Sequence, residues 1–312
     1  MSIAGDSTRE LERTGARLLP AARPNRGVLV PLDGTRLAEE ALALGASLAR
    51  RAAAPLHLVS AVEPMLETVR RELPDLAERE ILEETAGRQL YLERIAETVR
   101  AARPGVVTTT VLSGQPGEAI ADYAAREELD LIVLTTHGRG RLARWCVGSV
   151  ADTLLRHSRT PLLLLHAGDT PRLGEFRHIV VGLEGEHDHQ ILDAALRLGA
   201  LSPGARYVLL GVAERYPDAE ARLGARAGEL AEQGVRASWE VVRRGSVTRA
   251  LGEVGRAVRA DCLAVGTRGL TGLNRALLGS AAARLMRQSS LPLLLVPFPS
   301  PESQAGLTSR SA

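Results

Sequence analysis

The stretch Leu131-Ile-Val-Leu-Thr-Thr-His-Gly138 is followed, after nine intervening residues, by Gly148-Ser149, and it decides the reading of this chain because it occurs twice. Its second copy is Leu263-Ala-Val-Gly266-Thr-Arg-Gly269, followed after nine intervening residues by Gly279-Ser280. Gly138 and Gly269 lie 131 positions apart, and the same offset relates Gly114 to Gly245, Asp130 to Asp261, Arg144 to Arg275 and Pro161 to Pro292. Upstream, Leu42-Ala-Leu-Gly-Ala46 returns as Leu196-Arg-Leu-Gly-Ala200, and Val28-Leu-Val-Pro-Leu-Asp33-Gly34 as Ile179-Val-Val-Gly-Leu-Glu184-Gly185. An ordered set of this kind marks an internal duplication.

Each copy alternates short apolar runs with helical spacing. In copy one, Gly27–Leu32, Leu56–Val62, Val106–Leu112, Leu131–Leu134 and Pro161–Leu165 read as strands. Between them, Leu37, Ala41, Leu44 and Leu48 follow a helical period, Met65–Ala102 reads as a long helical stretch broken at Pro74, and Gly117–Arg126 and Val150–Arg156 read as helices. Copy two repeats the order, with strands at Ile179–Leu183, Tyr207–Val212, Ala237–Val242, Cys262–Val265 and Pro292–Val296. Its helices fall at Ile191–Leu201, Asp218–Glu232, Val247–Val258 and Ala281–Met286, the second shorter than its counterpart. Uniformly apolar strands alternating with helices imply a parallel sheet covered on both faces. Right-handed crossovers make each copy a doubly wound α/β domain of five strands. The expected organisation is an arm over 1–24, domains over 25–167 and 175–298, and a disordered tail over 299–312 rich in Pro, Ser, Gly and Gln.

Aromatic residues make up 3 % of the chain, so the cores must be aliphatic, which argues against stacking platforms for single-stranded nucleic acid. The formal charge of +2 is interleaved in sign, without the basic stripe of a nucleic-acid binder. Every basic side chain is Arg; without Lys there is neither a P-loop lysine nor a Schiff base. Cys146 and Cys262 read as small buried hydrophobes rather than a disulfide or zinc pair. His187 and His189 lack an evident third metal ligand. No apolar run reaches membrane-helix length and no signal core precedes the first copy, so a soluble, cytoplasmic protein without a membrane partner is expected.

In an open α/β sheet, ligands bind beyond the carboxyl ends of the strands, where strand order reverses. Two features of each copy fall there: the acid after strand one, Asp33 or Glu184, and the glycine-containing loop after strand four. Glycine lets main-chain amides approach an anion closely. Gly148-Ser149 and Gly279-Ser280 directly precede helices, whose first amides and dipole favour phosphate. An acid cannot favour phosphate but can accept a hydrogen bond from a ribose hydroxyl or a base amine. The cleft is therefore sorted into a nucleoside end and a phosphate end. His137 lies in the loop of copy one, but copy two has Arg268 there, which argues against a general base; Arg139, Arg141 and Arg144 fit a solvated helix face as well as a phosphate contact.

On these residues the chain resembles the universal stress protein family, whose ATP-binding members carry Gly-x2-Gly-x9-Gly-Ser/Thr after strand four. Copy two has Gly266, Gly269, Gly279 and Ser280; copy one has Thr135 at the first position, then Gly138, Gly148 and Ser149. The resemblance implies a Rossmann-like, adenine nucleotide alpha hydrolase-like fold with strand order 3-2-1-4-5. It also implies ATP or a related adenine nucleotide as ligand, with Mg2+ an admissible companion. Asp33 and Glu184 would contact the nucleoside, and Ala61 and Val212 at the end of strand two would give adenine a main-chain contact. In this family the last strands pair between domains, so the runs Pro161-Leu-Leu-Leu-Leu165 and Pro292-Leu-Leu-Leu-Val296 are expected to join the two copies as a pre-linked dimer. Pairing of two chains into a homodimer is compatible with this and is not specified by the residues. Three functions remain open: a nucleotide-binding stress-response regulator, a slow ATPase, or a scaffold without ligand. Without a clear base, Lys or paired metal-binding acids, efficient phosphoryl transfer is not expected.

Overall fold

The computed structural model describes residues 25–64, 71–102, 105–136, 148–168, 175–185, 187–214, 216–267, 285, 289 and 291–298. Copy one runs β1 (Val28–Pro31), α1 (Arg36–Arg51), β2 (Leu56–Val62), α2 (Pro74–Ala102), β3 (Val107–Ser113), α3 (Pro116–Arg126), β4 (Leu131–Thr136), α4 (Ser149–His157) and β5 (Leu162–His166). Copy two runs β6 (His178–Gly182), α5 (Asp188–Ala200), β7 (Arg206–Val212), α6 (Ala219–Glu232), β8 (Arg236–Val242), α7 (Val247–Ala257), β9 (Cys262–Gly266) and β10 (Leu293–Val296). The helical stretch expected from Met65 does open a new helix at Pro74, where the missing amide of proline is harmless in a first turn. The helix expected over Ala281–Met286, Cys146 and the two chain ends lie outside the described residues.

The strands form one ten-stranded sheet in the order β3-β2-β1-β4-β5-β10-β9-β6-β7-β8. Each half reads 3-2-1-4-5, with every pairing inside a copy parallel. The halves meet at β5 and β10, which pair antiparallel with Leu162, Leu163 and Leu164 opposite Leu295, Leu294 and Leu293. The direction follows from symmetry: when two copies of one edge meet about a two-fold axis, each strand faces its counterpart reversed. The apolar edges expected to seek a partner thus lie at the centre of the sheet, and these six leucines are at most 1 % exposed. Helices cover both faces, with Leu44, Leu48, Leu92 and Leu198 on one core and Ile120, Leu154, Leu251 and Val254 on the other. Cys262 is fully buried, and burial pushes its thiol up to about 12.

Several repeated residues prove to have a shared structural task. Asp130 accepts hydrogen bonds from the Arg26 and Gly27 amides at 2.5 and 3.2 Å, and Asp261 accepts from Arg177 and His178 at 2.9 Å each. Both carboxylates hold the entrance to strand one of their copy. The carbonyls of Pro161 and Pro292 accept the Ile132 and Leu263 amides, setting the register of strand five on strand four. The antiparallel seam also places the amino ends of copy one's strands beside α5. An open groove of about 1210 Å³ lies there, edged by Arg26, Asp130, Arg159, His187, Arg197 and Phe298.

Candidate functional site

In copy one, β1 has β2 on one side and β4 on the other, so the order of strands reverses at β1. Beyond its end, Asp33 is exposed. Its Oδ1 accepts from the Thr35 amide at 2.9 Å and from the Thr35 hydroxyl at 2.6 Å. Thr35 in turn caps α1 by accepting from the Ala38 amide. Arg88, from α2, donates to the Asp33 carbonyl at 2.6 Å, so the turn is held from two sides. Among the described residues Oδ2 of Asp33 has no partner, which leaves it able to accept from a ligand hydroxyl or amine.

Ala61 lies next to this turn. The Val59 carbonyl accepts from Leu32 at 2.8 Å across β1, and main-chain direction alternates along a strand. Two residues on, the amide and carbonyl of Ala61 therefore point the same way, past the end of β1, and find no partner among the described residues. This pair of groups is what a flat heterocycle needs for an edge contact.

At the phosphate end, Gly148 is the N-cap of α4 and its carbonyl receives the first bond of the helix, from Asp152. The amides of Ser149, Val150 and Ala151 precede that bond, and Ser149 is exposed. Gly148 has φ −54° and ψ 149°, a conformation open to any residue, and a Cβ there would meet nothing within 4 Å among the described residues. The backbone thus does not require glycine at 148. Asp152, which would repel an anion, is ion-paired with Arg156 one turn on. Gly138, His137, Arg139, Arg141 and Arg144 lie outside the described residues.

Copy two is built differently. Glu184 is half-buried after β6, and its amide and that of Gly185 donate to Oδ1 of Asp188 at 2.7 and 2.8 Å. Asp188 stands in the first turn of α5 and pairs through Oδ2 with Arg222 at 3.1 Å. Burial raises the pKa of Asp188, opposed by these amides and by Arg222. Val212 ends β7 with its main chain facing past the end of β6, as Ala61 does, but its carbonyl accepts the Tyr216 amide at 3.2 Å. Gly266 closes β9, and a Cβ on it would stand 2.6 Å from Phe298 and 2.8 Å from Ile191. Its smallness serves packing on that side, whereas the sequence pattern suggested only anion approach. His187, considered above as a metal ligand, stacks on Phe298 with ring centroids 4.3 Å apart. Gly269, Gly279 and Ser280 lie outside the described residues. Among the described residues no group of three or more His, Cys, Asp or Glu is placed to hold a metal, and no helix is long and apolar enough to cross a membrane.

Arg88, Asp188, Tyr216 and Arg222 were not singled out in the sequence. Each acts on a strand-end loop from a different element, and no local pattern signals such contacts.

Comparison with known proteins agrees with the duplication. The family model described as "Universal stress protein family" matches twice, over residues 24–166 and 175–297. A universal stress protein of Mycobacterium tuberculosis is 24 % identical over 293 residues, covering 88 % of this chain and 97 % of that protein. One from Thermus aquaticus is 34 % identical over 143 residues, covering 44 % of this chain and 96 % of its own length. Among solved structures, a universal stress protein from Archaeoglobus fulgidus superposes with a TM-score of 0.70 at 17 % identity, over 88 % of this chain and 98 % of its own. A second, from Pseudomonas aeruginosa, gives 0.57 at 20 % identity, over 92 % of this chain and 98 % of its own. With the doubled 3-2-1-4-5 sheet and two family matches spanning nearly all of it, this chain belongs to the universal stress protein family.

Proposed function

We propose that this chain is a stress-response regulator that binds ATP or a related adenine nucleotide, and that copy one holds it. The observation that supports this most directly is the grouping at the β1 switch point. A carboxylate oxygen of Asp33 without a partner among the described residues and the outward main-chain groups of Ala61 lie at the ends of β1 and β2. The start of α4 at Gly148 and Ser149 follows β4, the neighbour of β1 on its other flank. In this reading Asp33 accepts a ribose hydroxyl, Ala61 meets the adenine edge, and the first amides of α4 at Ser149 and Val150 take the phosphates. Binding would act by favouring one conformation or partner surface over another, to the extent that the nucleotide prefers it. Mg2+, if present with ATP, would be held mainly by phosphate and water oxygens.

The reading is tested by native mass spectrometry of the purified chain with added ATP, paired with calorimetry on Asp33→Asn. The substitution keeps an oxygen for Thr35 and removes the charge. Loss of one charge-assisted hydrogen bond, about 1.5–3 kcal/mol, should weaken binding about ten- to a hundredfold with the melting temperature nearly unchanged. A chain that takes up no adenine nucleotide at millimolar ATP would leave the scaffold reading instead. Steady phosphate release by the loaded protein would place it with the slow ATPases.

A further inference from the structure

The two copies share a sheet and differ in what stands over the end of strand one. In copy one, the nearest described atom to a Cβ built on Gly34 is Nη1 of Arg88, at 3.7 Å. In copy two, a Cβ built on the corresponding Gly185 would stand 2.6 Å from the Tyr216 hydroxyl and 3.0 Å from its Cζ. Tyr216 follows β7, and Gly185 follows β6. The ring therefore bridges the loops after two neighbouring strands, across the space in which a nucleoside would lie between Glu184 and Val212.

The ring is held there by a closed set of contacts. Arg222 lies over the Tyr216 face with its guanidinium carbon 5.0 Å from the centroid. Among the described residues Nε and Nη2 of Arg222 are shielded from solvent without a hydrogen-bond partner, on a guanidinium that packs against the ring. Arg222 pairs with Asp188, and Asp188 binds the amides of Glu184 and Gly185, which returns the path to the residue under the ring. The Tyr216 amide meanwhile occupies the Val212 carbonyl, the acceptor that copy one leaves outward at Ala61. Gly185 has φ +129° and Gly34 has φ +87°, both conformations that side-chain-bearing residues rarely adopt, so it is Tyr216 and not the backbone of the turn that sets the copies apart.

We infer that Tyr216 closes the nucleoside end of copy two, so that the intact chain binds a single adenine nucleotide, in copy one, although copy two carries the fuller glycine pattern. The inference rests on the nucleotide reading above. It makes Tyr216 the residue that decides stoichiometry, with Arg222 and Asp188 positioning it.

The test counts bound ATP by native mass spectrometry at saturating nucleotide in the full-length chain and three variants, with circular dichroism as the folding control. Wild type should carry one ATP, Tyr216→Phe one, Tyr216→Ala two, and Gly148→Val none. Should Tyr216→Ala fail to fold, Arg222→Gln, which frees the ring while leaving it in place, should show a second, weaker uptake. Two nucleotides on the wild-type chain, or one nucleotide that persists in Gly148→Val, would overturn the inference while leaving nucleotide binding intact. So would a folded Tyr216→Ala that still takes only one. Zero in every sample would overturn the nucleotide reading itself, and the inference with it.

Discussion

Replacing Leu294 by Ala tests whether the two copies are one cooperative body. Leu294 sits opposite Leu163 in the β5–β10 seam, on the same face of the sheet, and both are essentially inaccessible to solvent. Removing three carbons at about 0.8 kcal/mol each costs about 2.4 kcal/mol in transfer alone. The cavity that a rigid sheet centre cannot close raises such changes to about 2.7–5.0 kcal/mol. Neighbours in the central strands cannot relax far, because β10 is held by β9 on its other side and β5 by β4. A chain of 312 residues lies at the upper end of the urea dependence, about 3 kcal/mol per molar, so the midpoint should fall by roughly 1–2 M. Because the seam belongs to both copies, far-ultraviolet dichroism should still show one transition, displaced as a whole. Leu163→Ala should behave alike, and the double variant should depart from additivity by about 0.5–3 kcal/mol, as directly opposed residues do. The reasoning fails if Leu294→Ala gives two transitions with one at the wild-type midpoint, since copy one would then be indifferent to the seam. A cost under about 1 kcal/mol would equally show that the leucines are less confined than their burial implies.

Two other outcomes follow from buried titratable groups. His57 is buried at the entrance of β2, with Nδ1 2.9 Å from the Tyr123 hydroxyl, and burial lowers its pKa from 6.5 against a smaller opposing pull from Glu127. The folded chain then binds fewer protons there than the unfolded one. Its stabilising contribution is whole above about 6.5 and is lost as pH falls below it, so melting temperatures between about pH 8 and pH 5 should fall more steeply for wild type than for His57→Gln; parallel profiles would count against it. Cys262, with its thiol raised to about 12, should not react with an aromatic disulfide reagent at about pH 8 in a Cys146→Ser background until urea unfolds the chain. Rapid labelling of the native protein would contradict that burial.

The doubly wound fold was legible because its signals are local. Apolar runs such as Leu56–Val62, the helical period of Leu37, Ala41, Leu44 and Leu48, and Pro74 at a helix start each state their structure within a few residues. Duplication strengthened every such signal, since Asp130 and Asp261 or Pro161 and Pro292 had to do the same task twice. The candidate site was only half legible in this way. Asp33 and Gly148 can be located from the strand and helix they adjoin, but sequence spacing could not tell that Gly148 needs no special backbone angle or that Gly266 makes room for Ile191 and Phe298.

What the amino-acid order determined by itself, then, is the secondary structure, the repeat and the two places where a ligand could lie, because all three depend on neighbours along the chain. The tertiary structure alone decided how those places differ. Asp188, Tyr216 and Arg222 come from α5, the loop after β7 and α6, and they meet at Gly185 only when β6 and β7 lie side by side. Contacts between elements leave no period or spacing in a sequence; they arise from packing, and it is packing that brings the Tyr216 ring over Gly185 while the nearest described atom over Gly34 is an arginine nitrogen.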